Sequence, residues 1–200
     1  MKKLLYIDCC IRREKSRTRV LAERFLKAVE ARGEYEITRL TLPDENLSYF
    51  SDGFFEQRER MLAAHTLDEP RFRYAHQFAE ADRIVIAAPF WDLSFPALLK
   101  VYIENVSVEG ISFGCDASGC FGICKAKEML YLTTRGGDYS EGSETAFLEQ
   151  ATPYLESMCA FFGIERFRSI AADGMDLGIE PAETILERAC AEAETVAKEF

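Results

Sequence analysis

A run without alternation, Ile84-Val85-Ile86-Ala87-Ala88, sets the strongest limit on the fold. A strand covered on one face alternates apolar and polar side chains. A strand that does not alternate is covered on both faces, as in a parallel sheet flanked by helices. Pro89 ends the run, since proline has no N–H to give to a ladder. A loop with two large aromatics and a carboxylate follows, Phe90-Trp91-Asp92-Leu93. Pro96 suits the first turn of a helix, where its missing N–H costs nothing. Leu98, Leu99, Tyr102, Ile103 and Val106 then recur at helical spacing over Ala97 to Val106. Strand, aromatic loop and helix in this order make one wall of a ligand rim at the carboxyl end of a parallel sheet. The competing reading is that Phe90 and Trp91 only plug the core.

The rest of the chain repeats the alternation of strand and helix. Lys3 to Asp8 reads as a first strand and leads into Cys9 to Arg19, rich in bases. A helix over Val20 to Arg32 carries Leu21, Phe25, Leu26 and Val29 on one face, with Gly33 as its stop. Tyr35 to Leu42 is a second strand. Phe54 to Ala64 and Arg71 to Ala81 read as charged helices, which places His65 and His76 at the surface. Ser107 to Lys127 reads as a long irregular segment. Glu128 to Thr134 is the fourth strand and Glu165 to Ala172 the fifth. Ala146 to Phe162 is a helix that Pro153 either kinks or delays, and Pro181 to Phe200 a terminal helix. Five such alternations predict a single α/β domain over residues 1–200. It is a doubly wound five-stranded parallel sheet with helices on both faces, and the order 2-1-3-4-5 fits best.

Composition narrows the function. Thirty-four acids against 24 bases give a net charge of -10, which argues against a nucleic-acid partner, whose footprint is a basic face. No apolar run approaches the roughly 18 residues that span a membrane. Asp8 and Arg12 interrupt the apolar start, so a mature cytoplasmic N-terminus is expected. The cysteine count of seven is odd. With no secretory signal, the reading is of reduced thiols, with Cys159 and Cys190 as small buried hydrophobes. Cys115, Cys120 and Cys124 lack a C-x2-C pair and a fourth ligand, so loop thiols are favoured over a metal site.

Three loops carry the candidate chemistry. After strand one, Ser16 and Thr18 open a helix, and its free N–H groups and dipole make an anion seat. Arg12, Arg13, Lys15, Arg17 and Arg19 cluster there in an otherwise acidic chain, which suits a phosphate. There is no G-x-G-x-x-G, so this is not a dinucleotide fingerprint. After strand three come Phe90 to Leu93. After strand four, Thr134-Arg135-Gly136-Gly137 lets backbone approach a flat heterocycle closely.

Together these loops resemble those of the FMN-dependent NADH:quinone oxidoreductase and azoreductase family, which has a flavodoxin-like fold. The family's first loop has a serine and then Ser-x-Ser, where this chain has Cys10 and Ser16-Arg17-Thr18. Its second reads roughly Pro-Met-Tyr-Asn-Phe, here Pro89-Phe90-Trp91-Asp92-Leu93. Its third reads Ser-Arg-Gly-Gly, here Thr134-Arg135-Gly136-Gly137. Leu99 to Ile103 with Gly110 to Phe113, and Thr152 to Leu155 with Phe161 to Ile164, also resemble family segments. The resemblance implies that the phosphate of FMN sits on Cys10, Ser16, Arg17 and Thr18. The isoalloxazine lies between Phe90, Trp91, Asp92, Leu93 and the stretch Thr134, Arg135, Gly136, Gly137. It further implies a homodimer and a hydride passed from NADH or NADPH to flavin N5, then on to a quinone or azo acceptor. No side chain need act as an essential acid or base, because the cofactor carries the hard chemistry.

Two departures matter. Asp92 stands for an asparagine, and an ionised carboxylate only accepts hydrogen bonds. Cys10 stands for a serine and is a weaker donor, for which Arg17 could compensate. The pocket above the ring is expected to draw on Ser107 to Lys127 and on the partner subunit. Two alternatives stay open. One is an electron carrier or sensor that holds FMN without turnover. The other is a phosphatase using Cys9-x5-Lys15-Ser16, although lysine replaces the arginine fork that such chemistry needs.

Overall fold

The computed structural model describes residues Met1 to Phe200. Its centre is a five-stranded parallel sheet of β1 (Lys2–Asp8), β2 (Tyr35–Thr41), β3 (Arg83–Ala87), β6 (Glu128–Thr134) and β7 (Arg166–Ala172). The order is β2-β1-β3-β6-β7. This is the expected 2-1-3-4-5 order of parallel strands. Two extra strands, β4 (Phe113–Asp116) and β5 (Gly119–Gly122), form a separate antiparallel hairpin where an irregular segment was expected.

Side chains alternate between two cores, as the pleat requires. Leu5, Ile7, Ile84, Ile86, Met129 and Tyr131 face one side. They pack under α3 (Arg73–Glu80), α4 (Ala97–Val106) and α5 (Ala151–Phe161), through Phe78, Leu99, Tyr102, Leu155 and Phe162. Leu4, Tyr6, Val85, Ala87, Leu130 and Leu132 face the other. They meet α1 (Arg17–Glu30) and α6 (Ala182–Ala197), with Phe25 edge-on to Phe200 at 5.2 Å. Both faces are covered, which is why the strands carry no polar alternation. A smaller cluster around Phe72, Val108 and Ile111 seats α2 (Asp52–Ala63), which has no buried residue of its own.

Several boundaries differ from expectation for local reasons. α1 begins at Arg17 because Ser16 caps it, its hydroxyl accepting from Arg19 N–H. α5 starts late, at Ala151, where the Glu149 carboxylate accepts from the N–H groups of Ala151 and Thr152. Pro153 then falls in the first turn, where its missing N–H costs no intrahelical bond. His76 is half-buried, its ring bonded to the Leu67 carbonyl at 2.8 Å, and not simply a surface residue.

The reading of seven reduced thiols is corrected. Cys115 and Cys120 stand directly opposite in the β4–β5 hairpin, their Cα atoms 4.0 Å apart, and form a disulfide. Sequence spacing alone did not reveal that a hairpin would bring them into register. Cys9, Cys10, Cys124, Cys159 and Cys190 are free. The hairpin leans on the end of α5: Phe113 stacks on Phe161 at 4.9 Å, and a Cβ on Gly122 would lie 1.8 Å from the Phe162 carbonyl carbon. Cys124 N–H bonds to Phe162 O, and Lys127 N–H to Asp82 O, just ahead of β6. The hairpin therefore sits at the amino ends of β6 and β7, the far end of the sheet from the carboxyl-end loops.

Candidate flavin site at the carboxyl end of the sheet

The loops after β1, β3, β6 and β7 enclose a cleft of about 440 Å³. Its walls include Ser16, Arg17, Thr18, Phe90, Trp91, Asp92, Leu93, Thr134, Arg135, Gly136 and Gly137. Of the residues the resemblance assigns to FMN, Cys10 alone does not line it, and of the basic cluster Arg13, Lys15 and Arg19 do not. Cys10 is 1% exposed and points its thiol at the Ala87 carbonyl, 3.7 Å away. No residue of 107–127 lines the cleft within the subunit. Arg12, Pro89, Tyr139, Met175 and Asp176 are further lining residues. The loop after the fifth strand, which supplies Met175 and Asp176, has no motif. Its position beside the fourth strand is the signal that could have found it.

The first loop is organised by buried Asp8. Its carboxylate accepts from Cys10 N–H at 2.8 Å and lies 3.6 Å from Arg19 Nε. Ser16 and Thr18 are buried at the start of α1, and the N–H groups of Arg17 and Thr18 have no acceptor in the chain. The basic cluster is less available than its count implies. Arg13 is held bidentately by Asp44, Arg19 by Glu14 and Asp8, and Arg17 by Asp176. Arg12 and Lys15 remain, both exposed, and of the two only Arg12 lies on the cleft wall.

The second loop is a two-residue turn. Trp91 and Ser94 exchange both backbone hydrogen bonds at 2.9 Å, and Asp92 and Leu93 between them have φ of 48° and 67°. That left-handed geometry belongs to asparagine and glycine, and it is costly for leucine. It leaves the N–H groups of Asp92 and Leu93 without partners in the chain. Such strain is kept where surrounding structure enforces it, characteristically at functional sites.

The third loop is pinned to the loop after β7. Met175 N–H bonds to Arg135 O, Asp176 N–H to Gly136 O and Gly174 N–H to Gly137 O, at 2.8–3.0 Å. With their carbonyls committed there, Gly136 and Gly137 keep unpartnered N–H groups. A Cβ on Gly136 would lie 2.7 Å from Asp176 Oδ2, so a side chain there would push the Asp176 carboxylate aside. Arg135 is 5% exposed and braces the site: its guanidinium reaches Asp173 at 3.3 Å, Thr152 at 3.0 Å and Glu149 at 3.5 Å. It also lies 5.5 Å from the Phe90 ring, whose other neighbour is Tyr139 at 4.7 Å. Thr18 and Thr134 share a hydroxyl hydrogen bond of 2.8 Å that ties the first loop to the third.

The phosphatase alternative fails on geometry. Cys9 is fully buried, and burial with the neighbouring Asp8 pushes its thiol up to about 12, the reverse of what a nucleophile needs.

The fold and the cleft together define a flavodoxin-like protein whose strand-end loops are built to take a phosphorylated planar ligand. The family model for the flavodoxin-like fold matches residues 2–197. An FMN-dependent NADH:quinone oxidoreductase 2 of Clostridium acetobutylicum is 37% identical, and one from Caldicellulosiruptor saccharolyticus is 35% identical, each match covering 100% of both chains. The crystal structure of an azoreductase from Bacillus anthracis str. Sterne superposes with a TM-score of 0.89 at 30% identity, again over 100% of both chains. The chain thus belongs to the flavodoxin-like family, in its branch of FMN-dependent NADH:quinone oxidoreductases and azoreductases.

Proposed function

We infer that the protein is an FMN-dependent NADH:quinone oxidoreductase and azoreductase. The observation that carries the reading is the set of unpartnered N–H groups on Arg17, Thr18, Asp92, Leu93, Gly136 and Gly137, all on residues lining one cleft. Only Thr18 among them is fully buried, but backbone donors fixed on a cleft wall without an internal acceptor are all open to the acceptors of a ligand. A phosphate and a heterocycle with carbonyl and ring-nitrogen acceptors supply what these three groups of donors lack. The residues present therefore fit FMN. Ser16, Arg17 and Thr18 would hold its phosphate. Phe90, Trp91, Asp92 and Leu93 would face one side of the ring, and Thr134, Arg135, Gly136 and Gly137 the other.

Held by these residues, FMN would supply two-electron hydride chemistry between NADH and a quinone or azo acceptor in a ping-pong cycle. The chain's own work is positional. Arg135, anchored by Glu149 and Asp173, fixes the plane of Phe90, and the strained Asp92–Leu93 turn aims two donors from a rigid loop. Asp92 would set its carboxylate beside the ring. No helix is long and apolar enough to cross a membrane. A homodimer and a cytoplasmic location go with the reading, the latter because NADH is a cytoplasmic coenzyme.

The test is an anaerobic absorbance titration of FMN-reconstituted protein with NADH. Saturable FMN binding, bleaching by NADH and recovery with a quinone are expected. Binding without bleaching points to the carrier alternative, and absence of binding removes the proposal.

A further inference from the structure

Arg17 carries two roles that compete. It opens α1, where the N–H groups of Arg17 and Thr18 are unpartnered, and so belongs to the phosphate seat. Its guanidinium, however, is spent on the loop after β7. One terminal nitrogen donates to Asp176 Oδ1 at 2.8 Å and the other to Met175 O at 3.3 Å. The Asp176 backbone is tied to the third loop, its N–H bonding to Gly136 O, and its Oδ2 lies over Gly136. Asp176 lines the same cleft as Ser16 and Thr18.

We propose that Asp176 is a tethered competitor for the phosphate seat, a specificity-determining residue that an incoming phosphate must displace from Arg17. This rests on the FMN reading of the cleft. A carboxylate carries one negative charge and a phosphate monoester nearly two. Both ask for the same planar fork, and the doubly charged ligand wins it. Weaker anions do not, so Asp176 lowers affinity for every anion but penalises singly charged ones most. The loop after β7 thereby takes part in choosing the cofactor without touching its ring. Both partners are partly exposed, at 34% and 63%, so the effect is modest and depends on salt.

The experiment measures binding to the full-length protein stripped of flavin, in wild type, Asp176→Asn and Asp176→Ala. FMN and riboflavin are titrated by quenching of flavin fluorescence, at low and high salt. Both variants are expected to bind FMN roughly three- to tenfold more tightly than wild type, the gain shrinking in salt. Riboflavin, which lacks the phosphate, should bind all three proteins alike. Unchanged or weaker FMN binding in both variants overturns the proposal, as does an equal change for riboflavin, which would mark a packing role for the loop. A second readout separates failure of this idea from failure of the FMN reading. Inorganic phosphate should raise the melting temperature of Asp176→Asn more than that of wild type, whether or not flavin binds. Equal shifts overturn the proposal on that evidence alone.

Discussion

Leu93 is the residue most at odds with its own backbone. At φ 67° it sits where leucine is strained, and it is 39% exposed, so its burial is incomplete. Glycine at this position removes strain of about 1–3 kcal/mol and gives back about 0.4–1 kcal/mol through a more flexible unfolded chain. Leu93→Gly should thus unfold about 2–4 °C higher in a thermal melt for each kcal/mol gained, while FMN binding weakens through loss of a ring contact. A gain in both would show that the turn is not shaped for the ligand. Asp92, its neighbour, bears on the cofactor's electronics. A unit charge several ångströms from the ring is worth on the order of 1–2 kcal/mol, or tens of millivolts for two electrons. Asp92→Asn should raise the flavin midpoint potential by that amount in a spectroelectrochemical titration. An unchanged potential would mean that the exposed carboxylate is screened by water.

Among the elements, the β4–β5 hairpin is held by one contact that tolerates no side chain. Gly122→Ala would drive a methyl group into the Phe162–Gly163 backbone, which cannot yield as a flexible side chain does. A loss of about 1–3 kcal/mol in urea unfolding is expected. The hairpin also makes thiol chemistry readable. After brief reduction, Ellman's reagent should find two fast thiols, Cys115 and Cys120, which are exposed. Cys9, Cys124 and Cys159 should react only on unfolding, because burial pushes each up to about 12. The elements differed in how far the sequence revealed them. Unalternating runs such as Val85 to Ala87 exposed the strands directly, since burial on both faces is written in composition. Ser16, Phe90 and Gly136 were legible because short motifs flank strand ends. The hairpin was not, because glycine and cysteine in irregular spacing have no period to detect. Nor was Asp176, whose role comes from a loop pinned to another by backbone hydrogen bonds, which any residue can make. The basic cluster misled for a related reason: charge is visible in a sequence, but the pairing of Arg13 with Asp44 is not.

For the molecule as a whole, stability should be bounded by two kinds of titration. Hydrogen bonds from Arg13, Lys3 and Lys127 hold Asp44, Glu80 and Glu165 below the ordinary carboxylate range. Groups depressed on folding contribute above their unfolded value, near 4, and their contribution is lost as pH falls through the folded value. The buried thiols act with opposite sign. Their contribution is full below an unfolded value near 8.5 and declines as pH rises toward about 12. Urea midpoints measured across pH should therefore form a plateau from about 5 to 8.5, with the acid limb weakened by salt. The placement of the hairpin has a practical consequence at this scale. Cys115 and Cys120 lie at one end of the sheet and the cleft at the other, separated by the seven residues of β6, roughly 23 Å of strand. A molecule attached to a gold electrode through the reduced pair would stand upright, its cleft open to solution and its redox centre held away from the metal. Current from such a surface would depend on a diffusing mediator, so that the immobilised protein reports dissolved acceptors and is blind to the electrode beneath it.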